Sequence, residues 1–476
     1  MDNYKNFDAE LGIINFIDNI NQAEISITKE DLFSTIGIIS KVGKELIVEV
    51  NNNDLESLND NERFNEIESK IDKNDYVLDS FTIDSNSTDI SDKGGFFKTI
   101  CSANELRNKR FNKDSNSIYK CFIKTDLKKL ELFHYQFETV AYQKEMKKFY
   151  RDCLRIEFEN GEFDIIQVKL DDVSYFIIEN KEELSFVKFE NSCFAIRQAL
   201  GFISGYMPGG EEYFFDNNLN YYYVSNHRAA LDSMYYPLNS NPHNKLHYKP
   251  DDAERFKDQL NVISLAVFSN LISKIYNNRE LSASIILLLE ASSVRSLLLI
   301  PSVFSVIIEA LSRIISEDET GQFVPVGNPE LANEIIEQLN DVIDEKSDEI
   351  GSDTGVLKLK RRINEVNRPI NRGHLTNNEK LTLPFEQLGI RLTMDDIKAI
   401  EHRNDFLHGN ILLLNDNVQT ESELNNYMLY VSSKLYTLIS ALILKYAGYS
   451  GYIINYPKFN EDMCNIETTE DYYRFI

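Results

Sequence analysis

The chain contains no GxxxxGK loop followed by Ser or Thr, no GxGxxG turn behind a strand and no GxSxG elbow. Nucleotide hydrolysis and serine-nucleophile hydrolysis are therefore disfavoured. MPGGEE, 207 to 212, reads as a turn rather than a nucleotide loop. Cysteine is scarce, and Cys101, Cys121, Cys153, Cys193 and Cys464 are scattered without a CxxC spacing. That argues against a disulfide framework and a zinc site, and for free thiols in a reducing cytoplasm. The start, MDNYKNFDAELG, lacks the basic and then apolar segments of a secretory signal. Excess positive charge is missing too, since 50 Lys and Arg face 76 Asp and Glu for a formal net charge of −26. Any nucleic-acid site must then be locally basic, because such binding depends on cations displacing counterions from phosphates.

With 476 residues, 42% of them hydrophobic and 26% charged, the chain is globular and exceeds one comfortable core, so two domains are expected. From about 25 to 235, short alternating runs dominate: 45 to 50, 75 to 84, 117 to 125, 153 to 160, 174 to 180 and SFVKF at 185 to 189. Their period of two predicts strands of a mainly antiparallel β domain. FAIRQALGFISGY, 194 to 206, has helical spacing, and EEYFFDNNLNYYYV, 211 to 224, predicts a last hairpin. Its tyrosines suit sheet packing more than base stacking. The Pro- and Asn-rich stretch 235 to 252 marks the boundary between an N-terminal domain of 1–240 and a C-terminal one of 241–476.

Beyond that boundary the period is helical over 254–276, 281–298, 301–316, 328–346 and the run from Glu421 to Gly448. A bundle follows. The apolar stretches 281–300 and 429–447 carry Glu290, Arg295, Lys434 and Lys445, which marks them as bundle helices rather than membrane spans. The fold class is thus α+β, a β-rich half followed by an all-α half.

TMDDIKAIEHRNDFLHGN predicts a helix of about four turns, with Thr393 as N-cap, Asp396 completing a capping box and Gly409 as the stop. At about 100° per residue, Ile397, Ile400, Asn404 and Leu407 share one stripe, with Arg403 on one flank and His408 near the other. The pair lies about 140° apart around the axis, so two such helices would converge on one atom better than one. RNA phosphodiester cleavage uses these groups: an imidazole that titrates near neutrality moves protons, and a guanidinium fork stabilises the charge growing on phosphate. It requires no metal or other cofactor, and no ligand cluster stands at metal spacing in the sequence. His402, next to Arg403, points away from the seam and is expected to face solvent.

Arg403-Asn404-Asp405-Phe406-Leu407-His408, on a helix just before the last long helix of a bundle, resembles the Arg-(Asn/His/Asp)-x-x-x-His signature of HEPN ribonucleases. A bundle C-terminal to a β-rich domain is most similar to the Apea-type HEPN proteins of bacterial antiphage defence. The resemblance implies a HEPN-like bundle and a homodimer that cleaves RNA, tRNA in particular, without metal, leaving a 2',3'-cyclic phosphate and a 5'-hydroxyl. It also implies abortive infection set off by a phage-derived trigger. It would make Arg403 the phosphate-binding cation, His408 the general acid or base and Asn404 a polar orienting residue. The alternatives are a non-catalytic HEPN-like module that binds RNA or a partner, and a regulator of a separate toxin.

The most basic stretch, KLKRRINEVNRPINRGH, offers Lys358, Lys360, Arg361, Arg362, Arg368 and Arg372 against Glu365 alone, and is expected to grip RNA backbone. Its Arg368 and His374 are a rival to the main motif, on a segment that Pro369 and Gly373 keep from being helical. Glu309, inside an apolar helix, is expected to be paired.

Overall fold

A computed structural model describes residues 7–30, 32–51, 55, 60–91, 94–125, 136–144, 148–159, 161–170, 173–226, 228–240, 256–294, 296–318, 326, 328–365, 367, 376–402 and 420–476. The architecture is α+β, with an antiparallel β region first and a helical region after it. Two compact units divide the chain. One holds residues up to Ser296 with 447–455 and 470–475, and the other holds 297–446 with 456–469 and 476.

In the first unit, helix α1 (Asp8–Asp18) precedes β1 (Ala23–Lys29), β2 (Phe33–Val42), β3 (Glu45–Val50), β4 (Arg63–Ile71), β5 (Asn74–Ser91), β6 (Gly94–Ala103) and β7 (Glu105–Asn108). β5-β4-β1-β2-β3-β6 pair in that order, and β6 pairs back onto β5 to close a six-stranded barrel. Closure removes the exposed sheet edge. Alternation drives it: Ile25, Ile27, Ile39, Leu46, Val48, Ile67, Leu78 and Ile83 are fully buried, while Ile36 and Ile38 on the other face of β2 stay exposed. Gly37 sits where a Cβ would lie 2.6 Å from the Glu49 carbonyl, so the β2–β3 approach admits only glycine there.

β5 continues through β7 into an open antiparallel sheet. Its further strands, in chain order, are β8 (Lys120–Thr125), β9 (Val140–Lys144), β10 (Lys148–Phe158), β11 (Gly161–Leu170), β12 (Val173–Asn180), β13 (Glu211–Phe215) and β14 (Tyr221–Ser225). They pair as β7-β14-β13-β8-β12-β11-β10-β9. The expected hairpin is β13–β14, and Tyr213, Tyr221, Tyr222 and Tyr223 are buried in it. SFVKF is a correction: only Ser185 ends a two-residue strand with Leu184, and Phe186 opens helix α2 (Phe186–Ser204). Five alternating residues cannot distinguish the periods, and Phe186 and Phe189, three apart, bury the same helical face.

Helices α3 (Leu265–Asn277) and α4 (Arg279–Val294) belong to this first unit, whose main segment runs to Ser296. The physical reason is packing. Ser269 Oγ accepts from the Glu157 amide at 3.1 Å, Phe158 meets Tyr276 edge-on, and a Cβ on Gly201 of α2 would strike Leu289 of α4 at 2.9 Å.

The second unit contains α5 (Leu299–Asp318), α6 (Pro329–Glu345), α7 (Asp353–Glu365), α8 (Asn377–Gln387), α9 (Met394–Glu401) and α10 (Glu421–Tyr446). Ile307, Leu311 and Ile315 of α5 and Leu435, Ile439 and Leu442 of α10 are core residues, and Phe304 and Tyr436 have ring centroids 6.1 Å apart. Among the described residues, α5 and α10 are long and apolar enough to cross a membrane, and each buries more than half of that stretch within the protein.

Candidate functional site

Arg403, Asn404 and His408 lie outside the described residues, as do Arg368, Arg372 and His374. What is described is the helix that leads into the motif. α9 begins at a complete capping box: the Thr393 hydroxyl accepts from the Asp396 amide at 3.2 Å, and Asp396 Oδ2 accepts from the Thr393 amide at 2.8 Å. Both orphan donors of the first turn are thereby satisfied.

The other carboxylate oxygen of Asp396 is 3.2 Å from Lys434 Nζ on α10, with side chains 0% and 1% exposed. In so dry a pair, removing either charge leaves the other buried without its counter-charge. Ala399 and Ile400 are buried beside it, and Ile397 is half-buried. α9 is therefore pinned to the last long helix by charge about two turns before Arg403 and by apolar contact about one turn before it. His402, at the C-cap, is half-buried rather than solvent-facing. Glu309 is half-buried on α5.

The basic stretch is only partly available. Lys360 is bound by Asp344 of α6 at 2.6 Å, a partner that the sequence of the stretch itself does not reveal. Arg361 faces Glu365 at 3.4 Å, in an exposed pair of small energetic weight. Lys358 and Arg362, one turn apart on α7, are exposed and have no partner among the described residues. α6 presents a second feature, an exposed apolar row of Leu331, Ile335, Leu339 and Val342 on a helix that also carries Glu330, Glu334, Glu337 and Asp341.

Sequence reasoning missed a polar cleft of about 620 Å³ in the first unit, lined by residues of α2, the 207–212 turn and α4. Arg197, 6% exposed, pairs with Glu212 at 2.6 Å while its Nε stays without a hydrogen-bond partner. Burial, with the Glu212 charge adding to it, raises the Glu190 carboxyl. Arg228 bridges to Glu290 at 2.8 Å across the mouth. The usable signal was the polar pair Arg197-Gln198 in the middle of an otherwise apolar helical run. All five cysteines are buried and free. Burial, and a nearby Asp84 charge, push the Cys101 thiol up to about 12, and burial alone takes Cys464 to about 11. Neither is a nucleophile near neutrality.

In comparisons with protein-family models, with curated proteins and with solved structures, nothing matches the chain.

Proposed function

We propose that the protein is a cytoplasmic, metal-independent endoribonuclease of the HEPN kind, acting on RNA such as tRNA in antiphage defence. The observation that carries this reading is the sequence Arg403-Asn404-x-x-x-His408 directly after a helix whose Asp396 is locked to Lys434 of α10. In the reaction, His408 of one copy takes the proton of the ribose 2'-hydroxyl. The 2'-oxygen attacks phosphorus, the bond to the 5'-oxygen breaks, and the leaving oxygen collects a proton from the second copy's imidazole. A 2',3'-cyclic phosphate and a 5'-hydroxyl result. Arg403 neutralises charge on the non-bridging oxygens, and Asn404 orients the phosphate or the imidazole.

Two further features support the reading. The exposed row on α6 and the acidic and basic helices beside each other give the helical unit a surface that a second copy would cover. Lys358 and Arg362, with Arg361 and the further arginines 368 and 372, supply the local basicity that an acidic chain needs to hold RNA. The test is cleavage of total tRNA in EDTA by wild type and by Arg403→Ala and His408→Ala. Wild type is expected to yield cyclic-phosphate ends and each variant to lose about 100-fold or more in rate. Equal cleavage by all three removes the catalytic assignment, and cleavage by none moves the reading to a module that binds RNA without cutting it.

A further inference from the structure

We propose that the β-rich unit binds a nucleotide in a second cleft, where the first helix meets the β4–β5 turn. The cleft measures about 700 Å³, within the range of small-ligand sites. Its floor is aromatic. The rings of Phe16 and Tyr76 are within 18° of parallel with centroids 6.3 Å apart, and Tyr221 lies 6.4 Å beyond Tyr76. Tyr76 and Tyr221 are buried, whereas Phe16 is 37% exposed. An isolated exposed Phe needs no explanation, but this one opens onto a cleft rimmed by cations.

Lys73, Lys109 and Arg110 line that cleft against the single carboxylate of Asp75, which already faces Lys70 at 3.4 Å. Lys109 is engaged by Glu68 at 2.8 Å. Lys73 and Arg110 are exposed and have no partner among the described residues. Local positive charge stands out in a chain of net charge −26, and two cations without partners among the described residues beside a π-face suit phosphate joined to a base. The backbone is built for it. Asp72 and Lys73 form the two-residue turn between the paired Ile71 and Asn74, and both hold left-handed φ, 50° and 82°. Asn-Gly or Asp-Gly is the unstrained choice for such a turn. A lysine kept there at a cost in strain is the kind of outlier found at ligand sites. Beside it, the exposed Asn74 amide has no partner among the described residues and is free to read a base edge. The Asn108 carbonyl, by contrast, is already occupied by the amides of Phe111 and Tyr221.

None of these residues lies in the helical unit, so the assignment stands apart from the cleavage reading. The experiment is a fluorescence-anisotropy titration of the full chain with mant-ATP, followed by displacement with ATP, tripolyphosphate and adenosine. Saturable binding below about 1 mM is expected. The variant K73E/R110E should bind at least about tenfold more weakly. Phe16→Leu, which keeps apolar volume and removes the ring, should also lose about tenfold. Both cations are exposed, so K73Q/R110Q with an unchanged melting curve separates lost binding from lost fold. The proposal is overturned by any of three results: no saturation, equal affinity of the charge-reversed chain, or displacement by tripolyphosphate or adenosine alone as effective as by ATP.

Discussion

The two units handle buried charge differently. In the β-rich unit it is pooled. Lys41 is held by Asp18 at 2.6 Å and by Glu211, Lys124 reaches Asp18 at 2.7 Å and Glu211 at 3.6 Å, and the Tyr213 hydroxyl donates to Asp18 at 2.6 Å. Each carboxylate has several donors, so no single loss strips it. In the helical unit Asp396 faces Lys434 from one helix to the next and also caps the Thr393 amide, and the cations of α7 stay near the surface. A pooled network distributes the penalty of a broken contact, whereas one carboxylate that both pairs with a buried lysine and caps a helix concentrates it on the helix that leads to the candidate motif.

The sharpest way to break that contrast is Asp396→Ala, which takes the carboxylate away from the buried Lys434 ammonium and opens the capping box at Thr393. A loss of about 3–5 kcal/mol is expected in urea unfolding followed by far-UV dichroism of the helical transition. The double variant D396L/K434M should recover the part due to the buried charge but not the roughly 1 kcal/mol due to the lost cap. If the single variant costs no more than an exposed pair would, the pair is not the anchor described above.

A smaller effect is expected from acid on the pooled network. Burial alone would raise Asp18 and Glu211, but hydrogen bonds from Lys124, Lys41 and Tyr213 to Asp18, and from Lys41 with the Lys124 charge to Glu211, outweigh it and hold both below their ordinary values of 3.8 and 4.5. A depressed folded-state pKa stabilises fully above the unfolded value and is lost as pH falls through the folded one. The melting temperature of the β-rich unit should therefore hold down to about pH 4.5 and decline below it. Stability that rises on acidification through this window would contradict the assignment.

The smallest structural effect belongs to Lys358→Gln with Arg362→Gln. Being exposed and without partners among the described residues, they should change stability by less than about 0.5 kcal/mol. RNA affinity should weaken, and its log–log salt slope should shrink by about 1 to 2 as two phosphate contacts disappear. An unchanged slope would remove α7 from the RNA surface.

Local chemistry was legible in the sequence where it acts over a few residues. The capping box at Thr393 and Asp396, the 211–224 hairpin and the period switch to helices each rest on neighbours in the chain. What was not legible depends on distant partners. Barrel closure needs β6 to pair with both β3 and β5, and no local pattern encodes that choice. The second carboxylate oxygen of Asp396 is claimed by a lysine on another helix, and Lys360 by an aspartate on another. α3 and α4 have the same period as the helices after them, so period alone could not assign them to the β-rich unit.

β5 carries a last consequence. Its first half pairs with β4 and β7 and its second half with β6, so one continuous strand is a stave of the barrel and also the root of the open sheet. Melting of either part removes hydrogen-bond partners from a strand that the other part also uses. Amide exchange across Tyr76–Ile83 and across the β13–β14 hairpin should therefore converge on a common opening energy, the signature of a single cooperative block.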